Sequence, residues 1–181
     1  TAQEFGQALQ EADLGWKFPS DLEGYLFPST YSFPYDCTGP QAVKQMTDQF
    51  RQVVEPMMEK YKATAPLGLR DTVILASLVE REAQVPSERP LIAGVYINRI
   101  NKGMKLECDA TVQFALGKQK AVLLYSDLEI SSPYNTYRYK GLPPGPICSP
   151  GAASLEAAFN PKKSDYLFYV RDDIKNDGSH R

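Results

Sequence analysis

The segment Asp71 to Val85 constrains the fold more than any other part of the chain. Val73, Ile74, Leu75, Ala76, Leu78 and Val79 leave it without a clean polar face. A helix that is apolar all round is buried on most of its sides, so other elements must pack around it. Two carboxylates, Glu80 and Glu82, nevertheless stand near its C-terminal end. Glu is seldom buried unless it is paired or has a task. At helical spacing Glu80 shares a face with Val73, Ala76, Ser77 and Ala83, whereas Glu82 points roughly the other way, over Leu75, Leu78 and Val79. The small neighbours of Glu80 leave room for a ligand. Their apolar character is expected to raise its pKa, which is what a general acid needs near neutral pH. A pairing with Lys or Arg in a core network explains the same residue without any activity. The helix by itself leaves both readings open.

Composition narrows the class. The 181 residues are enough for one domain with a real core, and 43% are hydrophobic. Twenty basic and 22 acidic residues give a net charge of -2, which makes no case for nucleic acid. No apolar run approaches a membrane span, and no signal peptide opens the chain. The first residue, Thr1, suggests a processed piece. Three cysteines, Cys37, Cys108 and Cys148, are too few for a disulfide framework. The one histidine, His180, lies at the C-terminus, against a His-based triad or His-rich metal site. No metal and no cofactor are expected.

Helical patterns fill most of the chain. Phe5, Ala8, Leu9 and Ala12 make a short amphipathic stretch within residues 1–16. Val43, Met46, Phe50, Val53, Val54, Met57 and Tyr61 recur at intervals of three and four. That helix is capped by Thr38 with Pro40 in its first turn, and Pro56 should kink or interrupt it. Pro86 ends the Glu80 helix. Ser87 then opens another, with Leu91, Ile92, Val95, Tyr96 and Ile100 on its buried side and Gly103 closing it. The short turn between the two predicts an antiparallel helical hairpin. Asp109 suits the N-cap of a short helix stopped by Gly117, with Gln113 one turn on. Ser149-Pro150 opens a last helix that ends before Pro161. Tyr166 to Val170 reads as a buried strand, and residues 172–181 as a polar tail. The fold class expected is therefore α+β: a helix-rich single domain over residues 1–181, with a helical hairpin carrying the acid and a few short strands.

Residues 131–150 form the second unusual stretch. Tyr134, Tyr137 and Tyr139 crowd around Asn135 and Thr136. Leu142-Pro143-Pro144-Gly145-Pro146 must be a rigid loop. Tyrosine faces and an Asn amide suit a carbohydrate, although Tyr and Thr are equally at home in an exposed strand.

Five motifs occur in order: Leu22 to Tyr31 (LEGYLFPSTY), Ala76 to Glu82 (ASLVERE), Val95 to Arg99 (VYINR), Cys108 to Val112 (CDATV), and Ser132 to Tyr137 (SPYNTY) with Gly141 to Ile147 (GLPPGPI). Together they resemble the YceG-like family of endolytic murein transglycosylases, known as MltG, from about Leu22 to Val170. Ala110 stands where the family commonly has Pro. The resemblance implies an extracytoplasmic enzyme acting on peptidoglycan at the inner membrane. It further implies an N-terminal membrane anchor and a LysM-like domain, neither of which is in this chain, and links to the cell-wall synthesis machinery. The C-terminus looks clipped as well. By the resemblance Glu80 is the catalytic residue, and Glu82, Asp109, Gln113, Tyr134, Asn135 and Tyr137 bind sugar or orient it. An oxidising compartment permits a bridge between Cys108 and Cys148, given Cα atoms closer than about 7 Å.

The expected reaction cleaves the β-1,4 bond between N-acetylmuramic acid and N-acetylglucosamine and leaves a 1,6-anhydro end. One carboxyl group serves as acid and then base. A muramidase-type hydrolase would instead need two carboxylates, about 5–5.5 Å apart when retaining and about 6.5–9.5 Å when inverting. A peptidoglycan-binding module without activity is the third reading.

Overall fold

The computed structural model describes residues 21–170. The amphipathic stretch at residues 1–16, the polar tail and His180 lie outside the described residues. The apolar segment forms helix α2 (Leu69–Glu82), following α1 (Gly39–Lys60). Eight consecutive residues of α2, Thr72 to Val79, are buried, as an all-round apolar helix requires. The elements that cover it are α3 (Arg89–Asn101), α4 (Asp109–Leu116) and α6 (Ala152–Phe159). Helix α1 packs on α6, and the four-residue α5 (Tyr125–Leu128) sits beside α4.

Local chemistry explains most boundaries. Gln41 reaches back to the Thr38 backbone N–H at 2.8 Å, and Pro40 lies in the first turn of α1. Pro56 does not interrupt α1, which runs on to Lys60. Pro56 and Gln52, whose carbonyl loses its N–H partner, are both exposed, so water can replace the missing bond. Helix α2 stops at Glu82, four residues before Pro86. Pro86–Glu88 form a single 3-10 turn, and α3 begins at Arg89, so Ser87 caps nothing. Gly117 ends α4 in the left-handed region at φ 65°.

Among the described residues no strand forms. The one β-pairing among the described residues is an isolated antiparallel bridge, Lys105 with Lys140. Tyr166 to Val170 is extended but pairs with no strand, and Tyr166, Phe168 and Val170 are more than half exposed. Side chains of α3 hold it instead. Asn98 Nδ2 donates to the carbonyls of Ser164 and Tyr166, Arg99 Nε to that of Leu167, and the Tyr96 and Tyr169 hydroxyls meet at 2.7 Å. Backbone groups satisfied in this way need no neighbouring strand. The fold is helix-rich, and the few short strands of the α+β expectation are not found among the described residues.

The proline loop lies along α2. The Ile147 N–H donates to Ser77 Oγ at 3.0 Å, and Arg70 donates to the Pro144 carbonyl. Gly24, at φ 86°, lets residues 21–27 press against the loop: a Cβ there would lie 2.6 Å from Pro146. The loop is thereby fixed to the helix that carries both glutamates.

Candidate active site

The end of α2 sends Glu80 and Glu82 to different sides, as a 100° step per residue requires. Glu80 Oε2 accepts hydrogen bonds from Ser154 Oγ at 2.6 Å and from the Gly151 N–H at 3.2 Å. Gly151 is the N-cap of α6 and Ser154 is in its first turn. The carboxylate thus caps a helix N-terminus, where negative charge is stabilised. Arg89 Nε donates to Ser154 Oγ at 3.0 Å and steadies the arrangement. No Lys or Arg nitrogen among the described residues lies within ion-pairing distance of Glu80, so it is not the buried salt bridge considered above. The neighbours of its head group are polar, however, and the expected apolar pocket is absent.

Glu82 lines a cleft of about 330 Å³ with Arg99, Leu106, Glu107, Asp109, Tyr137, Tyr169 and Val170. Beneath Glu82 lie neutral side chains. The Cys108 thiol is 3.8 Å from Oε1 and is pushed up to about 12, first by burial and then by the Glu82 charge. The same two causes hold the Tyr169 hydroxyl well above its usual range. Across the cleft the Tyr137 hydroxyl donates to Asp109 Oδ1 at 2.5 Å, and burial, then Asp109, keeps that phenol protonated. Asp109 opens α4 at its first position, with Cys108 as N-cap. Its side chain therefore faces the cleft and the tyrosine.

Buried hydrogen bonds fix these walls. Thr136 Oγ1 accepts from the Cys108 N–H at 3.0 Å and meets Thr111 Oγ1 at 2.9 Å, tying α4 to the tyrosine loop. Arg99, 7% exposed, donates to the Leu167 and Leu106 carbonyls and to Glu107 Oε2. Glu107 adopts φ 53°, rare for a residue with a side chain, and its carboxylate lines the cleft. Neither Arg99 nor Glu107 stood out as a site residue in sequence. The uneven run Lys105-Leu106-Glu107 carries no signal, although Arg99 belongs to a quoted motif.

The other expected sugar-binding residues are dispersed. Gln113 lines a second cleft, of about 400 Å³, with Arg81 and Cys148, and its Oε1 accepts from the Lys120 N–H at 3.3 Å. Tyr134 packs on Phe114, with ring centres 4.8 Å apart. Asn135 is fully buried: its Nδ2 donates to the Leu128 and Ile130 carbonyls and its Oδ1 accepts from the Tyr137 N–H. That amide shapes the loop from within and offers no surface to a sugar. Cys108 and Cys148 are free thiols, Cys108 buried against Glu82 and Cys148 on the second cleft, so the bridge considered above is absent.

The sequence model of the YceG-like family matches residues 1–181. The chain belongs to the YceG-like family. An endolytic murein transglycosylase of Bacillus subtilis is 45% identical over 93% of this chain and 47% of its own length. One from Streptococcus pneumoniae is 36% identical over 92% of this chain and 30% of its own. The crystal structure of a YceG-like protein from Listeria monocytogenes superposes with a TM-score of 0.74 at 40% identity, covering 84% of this chain and 50% of that one. The chain thus spans half or less of the length of these relatives. For the YceG-like fold the all-round apolar α2 is the central strut, and both clefts open beside its C-terminal turn.

Proposed function

We propose that this chain is the catalytic part of an endolytic murein transglycosylase, with Glu82 as the proton-transfer group. One observation carries the assignment of the acid. Glu82 lies at the end of a buried helix, against the Cys108 thiol, in a cleft shared with Arg99, Glu107 and the Asp109–Tyr137 pair. Glu80, the residue favoured in sequence, is engaged at the N-terminus of α6. Its Oε2 is already occupied by two donors, the Ser154 hydroxyl and the Gly151 N–H. The names of the relatives support the reaction class.

In this reading Glu82 protonates the glycosidic oxygen as its bond to C1 of N-acetylmuramic acid breaks. The C6 hydroxyl of the same sugar attacks C1, and its proton returns to Glu82. The product is a 1,6-anhydro end, no water is consumed, and one carboxyl group suffices. Well-oriented intramolecular groups reach effective molarities of about 10⁵ M or more, against about 55 M for water. The Tyr137 phenol and Asp109 would hold hydroxyls of the glycan. The substrate places the activity on the extracytoplasmic side of the membrane. Anchoring and contacts with the synthesis machinery are carried over from the family resemblance to a longer protein.

The presence of Asp109 and Glu82 in one cleft also suits a two-carboxylate muramidase. Mass spectrometry of products from purified glycan strands separates the two. Anhydro ends, one water lighter, are expected. Reducing ends as the main product overturn the transglycosylase reading in favour of hydrolysis. Binding of strands without any cleavage would leave only a recognition module.

A further inference from the structure

The second cleft has no part in the chemistry above, yet its lining is selective. Arg81, one residue before Glu82, turns into it from the last turn of α2. Lys118 and Gln119 enter from the opposite wall, where the left-handed Gly117 reverses the chain after α4. Arg81 and Lys118 are both exposed, and neither has a carboxylate within 4.0 Å among the described residues. Arg81 is instead tethered to a neutral partner: with the Gln119 amide turned to its favourable orientation, Oε1 accepts from the guanidinium at 3.1 Å. Ala110, Phe114 and Ile147 supply an apolar floor. Asp127, the carboxylate that feels the Lys118 charge, is held by Lys120, and the Glu80 oxygen is engaged with Ser154 and Gly151. Two cations with no carboxylate partner among the described residues, over an apolar floor, fit a short side arm that ends in a carboxylate.

The two clefts share walls. Residues 81 and 82 of α2, and residues 109 and 110 of α4, each divide between them. A sugar held beside Glu82 would therefore present its substituents toward Arg81. Resting on the transglycosylase reading, we infer that this cleft binds the carboxylate-bearing side arm of muramic acid. The carboxylate belongs either to the stem peptide or, on peptide-free strands, to the lactyl group. Arg81 and Lys118 thus select the muramic acid subsite by charge.

Binding of single-sugar fragments tests this without any cleavage. The folded chain is titrated by NMR with N-acetylmuramoyl-L-alanyl-D-glutamate, with its neutral diamide, and with N-acetylmuramic acid and its amide. The dipeptide acid is expected to bind about ten-fold more tightly than the diamide, with shifts at Arg81, Lys118 and Gln119. A preference of that size for the N-acetylmuramic acid pair alone assigns the cations to the lactyl carboxylate. Equal affinity of acid and neutral forms in both pairs, or no binding, overturns the proposal. Replacing both cations (Arg81→Gln with Lys118→Gln) removes the preference. A folded double variant that keeps it also overturns the proposal. The comparison of fragments on the parent chain stands even if the variant fails to fold. Cleavage of glycan strands is scored separately, so failure of the catalytic reading would be seen as absent products.

Discussion

The two glutamates of Ala76 to Glu82 differ in what they touch. Glu82→Gln removes the transferable proton and is expected to lower glycan cleavage by at least about 10³-fold, within the range for loss of a proton-transfer group or more. Glu80→Gln keeps the shape but loses the negative charge beside the Gly151 N–H and Ser154 hydroxyl. It is expected to lose about 1 kcal/mol of stability and to retain most of its activity. Product counts and thermal melts on the two variants decide the matter, and a dead Glu80→Gln with an active Glu82→Gln would reverse the assignment. Asn135 makes a complementary case. Its Nδ2 satisfies two carbonyls in the interior, so Asn135→Ala strands both and should cost about 2–3 kcal/mol in a denaturant titration. A cost under about 0.5 kcal/mol would show that the amide is dispensable to the loop.

Among the elements, α3 is where a small residue is demanded by a neighbour. A Cβ on Gly94 would lie 2.2 Å from the Lys162 carbonyl oxygen, a backbone atom held in turn by the Lys162 N–H to Pro90 carbonyl bond of 2.8 Å. In an isolated helix Gly→Ala stabilises by about 1 kcal/mol. Here Gly94→Ala should instead destabilise by about 2 kcal/mol, because the segment after α6 must move away. Equilibrium unfolding gives the sign directly, and a stabilised Gly94→Ala would mean that the contact is loose. The same element shows why the strand expectation failed. Tyr166 to Val170 has the composition of a buried strand, but composition does not provide a partner strand. Asn98 and Arg99 supply polar side chains in its place.

For the whole molecule, the buried acids that hold protons predict the response to alkaline pH. Cys108 and Cys148 are both pushed up to about 12, chiefly by burial, and Tyr96 and Tyr169 move in the same direction. An acid whose folded pKa is raised stabilises the fold fully below its unfolded pKa, and that contribution fades as pH rises toward the folded value. Stability should therefore be flat up to about pH 8 and fall by about 2 kcal/mol per thiol by pH 10. Urea titrations at pH 8 and pH 10 test this, and Cys108→Ala with Cys148→Ala should flatten the decline. By itself the sequence determined the features that depend on neighbours a few residues apart. These are the all-round apolar α2, the stripe of α1, the glycine stop of α4 and the ordered motifs of the family. A helical repeat specifies which residues share a face. It does not say which face another element will cover. Long-range packing decided that the N-terminus of α6 would take Glu80 and that α4 would bring Asp109 beside Glu82. It also set the Cys108 thiol against Glu82 and the Cys148 thiol against the Ser77 carbonyl. Each of these outcomes joins residues at least 25 positions apart, and periodicity carries no information at that range.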